Sequence, residues 1–220
     1  MLSARAVSKS FESAHGTVPA LEDLSISIEP GERVGLVGPS GCGKSTLARI
    51  LTFLLAPDSG TVTLNGTRVT RFGIKAPPQV RRRVQMLWQS PRQAADPRRK
   101  LADLITEPGA LKKTPVDLSR WAEIAGVPEE LLERYPHEVS EGQLQRAMVA
   151  RALACEPDYL VGDEPTSMLD VSSQAGVLRA IETAQQRTGL GVLLISHDAE
   201  LVGYWCGRVL QLGDPSPAAA

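Results

Sequence analysis

This sequence is short of the features that mark several large classes of protein. Its 24 Lys and Arg stand against 25 Asp and Glu, without the basic excess that a nucleic-acid-coating chain carries. Its longest apolar stretches, such as residues 51–56 with Thr52 inside, fall far below the ~20 residues a bilayer span requires. Cys42, Cys155 and Cys206 lie far apart with no CxxC spacing, so neither a disulfide framework nor a zinc site is indicated. Met1-Leu2-Ser3-Ala4-Arg5 reads as the start of a strand, not as a charged-then-apolar signal. No internal repeat or sustained heptad is visible, which removes solenoids and long coiled coils. Any membrane role then has to come through docking onto another protein.

What is there begins with Gly38-Pro39-Ser40-Gly41-Cys42-Gly43-Lys44-Ser45-Thr46. An apolar strand-like run, Val34-Gly35-Leu36-Val37, precedes it, and a helix-like run, Leu47-Ala48-Arg49-Ile50-Leu51, follows. This is the strand–GxxxxGK[ST]–helix setting of a phosphate-binding loop. Glycines let successive backbone N–H groups curl around an anion, and the helix adds the positive end of its dipole. Lys44 can reach the β- and γ-phosphates, and the Ser45 hydroxyl can ligate Mg²⁺. The motif implies a nucleoside triphosphate.

Along the chain, Leu21–Ile28, Arg33–Val37, Thr61–Leu64, Val84–Trp88, Tyr159–Gly162, Gly191–Ile195 and Arg208–Leu212 read as strands. Ser45–Leu54, Gln143–Ala154 and Ser173–Arg187 read as helices. Their alternation in the second half implies a parallel, two-faced sheet. Between Pro97 and Pro157 the strand signal vanishes, and prolines split helix-compatible pieces. The expected architecture is a single α/β domain over 1–213, with a mostly parallel sheet and an N-terminal antiparallel β region. A helical subdomain is inserted at about 97–157, and the tail 214–220 is expected to be disordered.

Two further strands end in polar groups. Tyr159-Leu160-Val161-Gly162 runs into Asp163-Glu164, and Leu193-Leu194-Ile195 runs into Ser196-His197-Asp198. Open α/β sheets place ligands at such strand ends, so Asp163 suits a second Mg²⁺ contact. Glu164, one residue on and aimed differently, can accept a proton from an attacking water. His197 can hydrogen-bond a γ-phosphate.

With these residues in place, the chain resembles the ATP-binding subunits of the ABC transporter family over nearly its whole length. Gly38–Thr46 matches that family's Walker A motif, and Gln89 in Met86-Leu87-Trp88-Gln89-Ser90-Pro91 matches its Q-loop. Val139-Ser140-Glu141-Gly142-Gln143 resembles the LSGGQ signature. Leu160–Glu164 matches Walker B, Ser167–Asp170 the D-loop, and His197 the switch histidine. The resemblance implies a P-loop NTPase fold and ATP hydrolysis with Mg²⁺. Two ATPase domains would pack head to tail, each ATP lying between one Walker A and the partner's signature. It implies Gln89 as a further metal and catalytic contact, with Ser140, Gly142, Gln143 and Asp170 serving the composite nucleotide site. It places the chain peripherally on the cytoplasmic face of the cell membrane, beside permease subunits and a substrate-binding protein, with no nucleic-acid partner. Phe11 is the candidate adenine-stacking aromatic; its alternative is a place in the strand core.

One position departs from the pattern. Glu141 stands where the family usually has glycine. Its carboxylate either faces the partner-bound γ-phosphate and repels it, or points outward to solvent. Residues 88–99 resemble the "QDP…SLDPR" stretch of peptide and nickel importer ATPases, and Tyr135–Ser140 resembles their "YPHELS". Many members of that group continue past the last core strand, whereas the match here runs out near Leu212. The substrate stays open among peptides, nickel and metal chelates. The competing readings are a soluble ABC-type ATPase acting on DNA or ribosomes, and a nucleotide-binding regulatory subunit.

Overall fold

In the computed structural model, which describes residues 1–13, 16–112 and 114–213, two sheets carry the chain. The expected tail at 214–220 lies outside the described residues. The first sheet is antiparallel and built from β1 (Leu2–Ser13), β2 (Gly16–Ile28), β4 (Ser59–Leu64) and β5 (Thr67–Val69), in the order β2-β1-β4-β5. The second is parallel and contains β3 (Arg33–Val37), β6 (Val84–Leu87), β7 (Tyr159–Asp163), β8 (Gly191–Ile195) and β9 (Arg208–Gln211). Its order is β6-β7-β8-β3-β9.

The run-like sequences of β7 and β8 follow from burial on both faces. Along β8, Val192 and Leu194 point into one apolar cluster, while Leu193 and Ile195 point into another. On β7, Leu160 joins the first cluster, and Tyr159 and Val161 join the second. The second cluster fills the space between the sheets, where Ile28 and Leu64 meet Leu47 and Ile50 of α1 (Lys44–Leu51).

The helices α2 (Pro78–Arg83), α3 (Pro91–Ala94), α4 (Leu101–Lys112), α5 (Leu118–Ala125) and α6 (Glu141–Leu153) precede β7. Leu104, Ile105, Trp121, Ile124, Leu144 and Val149 pack among α4, α5 and α6 and continue the first cluster. The long helix α7 (Val171–Thr188) and the short α8 (Ala199–Trp205) complete the helical layer. Asp170 caps α7 by accepting from Ser173 N at 3.0 Å, and Gly189 closes it in the left-handed region.

Several boundaries differ from the sequence expectation. α6 begins two residues before Gln143 because the Ser140 hydroxyl caps it. α1 stops at Leu51 rather than Leu54, with Phe53 at φ +62. The first hairpin is longer than expected, and β5, α2 and α8 carry too few residues to show a period.

The parallel register brings four strand ends to one edge. Leu36 pairs with Ile195, Asp163 with Ile195, and Leu87 with Gly162. The loops that follow β3, β6, β7 and β8 therefore open side by side.

Candidate nucleotide-binding site

The loop after β3 is shaped by what its glycines allow. Gly43 takes φ +98, and a Cβ there would lie 2.1 Å from the carbonyl oxygen of Ala20 on β2. No L-residue with a side chain fits that position. The contact presses the loop against the antiparallel sheet and starts α1 at Lys44. The first-turn N–H groups of α1 consequently lack intrahelical acceptors and point into the loop. Pro39, Ser40 and Gly41 form its exposed rim, and Thr46 is half-buried in α1. Lys44 is buried, and its Nζ donates to Gly38 O at 2.7 Å and Pro39 O at 2.8 Å. The ammonium is thus fixed inside the curl. Cys42 Sγ lies 3.9 Å from it.

At the end of β7, Asp163 accepts a hydrogen bond from Ser45 Oγ at 3.1 Å. Burial pushes its carboxyl above the ordinary aspartate range, and the Ser45 hydroxyl pulls it part of the way back. A hydroxyl and a carboxylate oxygen converging beside a phosphate loop are hard oxygen ligands, the donor set that Mg²⁺ prefers. Next in the chain, Glu164 holds φ +50, and its N–H donates to Ile195 O at 3.0 Å. That conformation turns its side chain away from Asp163 and toward the end of β8. There its Oε2 lies 3.4 Å from His197 Nδ1. The structure therefore joins Ser45 to Asp163, the two oxygen donors expected at the metal, and sets Glu164 beside His197.

Gln89 follows β6 at the same edge and is exposed. Phe11 is 43 % exposed on the β1–β2 hairpin, opposite Val18, with Lys9 Nζ 5.6 Å from its ring centre. The strand-core alternative for Phe11 is thereby excluded.

The signature segment is organised separately. Ser140 and Gln143 form a reciprocal capping box at the start of α6: Gln143 N donates to Ser140 Oγ at 3.2 Å, and Ser140 N donates to Gln143 Oε1 at 2.9 Å. Gly142 faces Ser173 on α7 so closely that a Cβ would lie 2.6 Å from its Oγ. Asp170, held by the Ser172 and Ser173 hydroxyls, has its carboxyl well below the usual range. Among the described residues, no hydrogen bond joins Ser140, Gly142 or Gln143 to the Walker A loop. Glu141 is half-buried at the surface and carries a partner that the sequence did not suggest. Its Oε2 accepts from Arg92 Nε at 2.7 Å, so a guanidinium beside it balances its charge.

Two residues of the site carry no sequence signal of their own. Gln145, 1 % exposed, donates to Trp88 O at 3.2 Å and Pro165 O at 2.8 Å. It reads in the sequence as one more position on α6. Arg92 reads as one of many surface arginines. Next to Gln89, a groove of about 510 Å³ opens between β6 and the helices, lined by Trp88, Met148, Arg81, Arg82, Arg151 and Pro108 among others. Among the described residues no helix is long and apolar enough to cross a membrane.

A phosphate loop after β3, with a buried aspartate and a glutamate at the end of β7 across the intervening β8, defines a P-loop nucleoside triphosphatase. The chain belongs to the ABC transporter family, whose model matches residues 21–167, and it is an ATPase of that family. It is 40 % identical over 217 residues to the oligopeptide transport ATP-binding protein OppF of Bacillus subtilis, covering 95 % of this chain and 71 % of that one. It is 38 % identical over 218 residues to a Brucella ovis protein named for peptide import, covering 96 % of this chain and 69 % of that one. Among solved structures it superposes on the dimeric bacterial ABC transporter cassette MJ0796 with a TM-score of 0.84 at 24 % identity, covering 96 % of this chain and 94 % of that one.

Proposed function

We propose that this chain is the ATP-hydrolysing subunit of a peptide importer, working in pairs beneath separate permease subunits. The observation that carries the reading is the meeting of Lys44, Ser45, Asp163, Glu164 and His197 at one sheet edge. The sequence left the cargo open among peptides, nickel and metal chelates; the names of the two relatives above favour peptides.

The reading assigns a role to each site residue. The Walker A amides and Lys44 bind the phosphates, and Phe11 offers its ring face to adenine. Ser45 and Asp163, with Gln89, would hold Mg²⁺, which neutralises charge developing on the transferred phosphoryl group. Glu164 accepts a proton from the attacking water, and His197 donates a hydrogen bond toward the γ-phosphate. Ser140, Gly142 and Gln143 at the α6 N-terminus face the nucleotide of a second ATPase subunit, and Asp170 braces that junction through α7. ATP joins two such subunits and hydrolysis parts them. The groove beside Gln89 is where the permease docks, which sets the chain peripherally on the cytoplasmic face of the membrane. A substrate-binding protein delivers the peptide, and no nucleic acid takes part.

The test is transport of a labelled peptide into vesicles carrying the assembled complex. Lys44→Ala should abolish ATP binding, hydrolysis and uptake together. Undiminished nucleotide affinity in that variant, or ATP-independent uptake by the wild type, would defeat the reading.

A further inference from the structure

One helix holds the chain on both sides of Gln89. Upstream, Gln145 of α6 donates to the Trp88 carbonyl and, through the same amide nitrogen, to Pro165 beside Glu164. Downstream, the Arg92 guanidinium grips a single stretch of chain. Its Nε donates to Glu141 at 2.7 Å, and its two terminal nitrogens donate to Pro136 O at 2.8 Å and Val139 O at 3.0 Å. A planar fork that meets three acceptors at once is fixed in orientation. Only Ser90 and Pro91 separate Gln89 from Arg92. Pro91 is buried with its φ locked, and its carbonyl accepts from Ala95 N at 3.0 Å. Slack between Arg92 and Gln89 is therefore small. Gln89 itself has no side-chain partner among the described residues, so what flanks it decides where it sits.

We propose that Arg92, anchored by Glu141, is a positioning residue for Gln89. It ties the downstream end of the Q-loop to the first turn of the signature helix, so that the two move as one body. The inference rests on the reading of Gln89 as a nucleotide contact. It gives Glu141 a task that glycine cannot perform, since glycine would leave Arg92 Nε without its carboxylate. It also weakens one of the two alternatives weighed for Glu141, repulsion of the partner's γ-phosphate, because that charge is already paired at contact distance. Replacing Glu141 should slow turnover.

The test measures kcat and KM for ATP in the assembled transporter for Gln89→Ala, Arg92→Ala, Arg92→Lys, Glu141→Gln and the double variant Gln89→Ala/Arg92→Ala. Arg92→Ala should lower kcat about tenfold with KM for ATP within about twofold, as expected when an interaction matters in the transition state and not in binding. Glu141→Gln, which keeps a neutral acceptor, should lower kcat about threefold, and Arg92→Lys should fall between wild type and Arg92→Ala. The double variant should be no slower than Gln89→Ala alone, because residues that act as a unit are not additive. Losses that multiply in the double variant would mean an independent structural role and would overturn the proposal. So would a raised KM at unchanged kcat, or a Glu141→Gln enzyme as fast as the wild type. A Gln89→Ala enzyme with wild-type turnover removes the underlying reading along with the proposal, and that single variant identifies this case. If Arg92→Ala does not fold, Glu141→Ala takes its place in the same cycle with Gln89→Ala.

Discussion

Glu164→Gly should make the protein more stable while it stops hydrolysis. Glu164 is a non-glycine residue at φ +50, a left-handed conformation that costs an L-residue about 1–2 kcal/mol. Glycine adopts it freely, yet gives back about 0.5–1 kcal/mol through the greater freedom of its unfolded chain. The backbone bond from residue 164 N to Ile195 O survives the change because it is made by the main chain. The contact with His197 adds little, since that imidazole is 64 % exposed. The balance is a gain of up to about 1.5 kcal/mol, or a rise of up to about 6 °C in Tm for a chain of this size. Against it, removing the proton acceptor should slow turnover by about 10²–10⁴-fold, a barrier increase of about 3–5 kcal/mol. Circular dichroism on heating reads the first quantity, and phosphate release from the assembled complex reads the second. Isothermal titration should find ATP affinity unchanged. A drop of several degrees in Tm would refute the strain argument, and more than a tenth of wild-type turnover would refute the assignment of Glu164.

Two further outcomes are expected. Gln145→Leu keeps the volume but orphans the Trp88 and Pro165 carbonyls, and should cost about 2 kcal/mol, roughly 4–8 °C in Tm; an unchanged urea midpoint would show that both carbonyls find other donors. Arg208 donates to Glu32 at 2.8 Å and holds that carboxyl below its usual range. A depressed carboxyl stabilises the fold above its unfolded pKa and loses that contribution as pH falls through the folded value. The stability gap between wild type and Glu32→Gln, under about 1 kcal/mol at neutral pH, should therefore shrink below about pH 4, and a gap that widens on acidification would contradict the sign.

Much of the site was legible because its motifs are local. A phosphate loop is one continuous turn, so Gly38–Thr46 carries its chemistry in nine consecutive residues whatever surrounds them. The apolar runs of β7 and β8, followed at once by Asp163-Glu164 and by His197, likewise announce buried strands with reactive ends. Boundaries were less legible where a side chain two or three residues away sets them, as Ser140 and Asp170 do for α6 and α7.

What only the tertiary structure decided are the contacts between segments distant along the chain. The parallel register, with the left-handed turn at Glu164, sets Glu164 against His197 and brings Ser45 against Asp163. The fate of Glu141 depended on Arg92, 49 residues away, which no spacing rule connects to it. The role of Gln145 required knowing that Trp88 and Pro165 flank the same helix turn. Periodicity and turn chemistry act over a few residues and are written into the sequence. Which carboxylate finds which guanidinium is settled when elements pack, because only then does burial raise the cost of leaving either group unpaired.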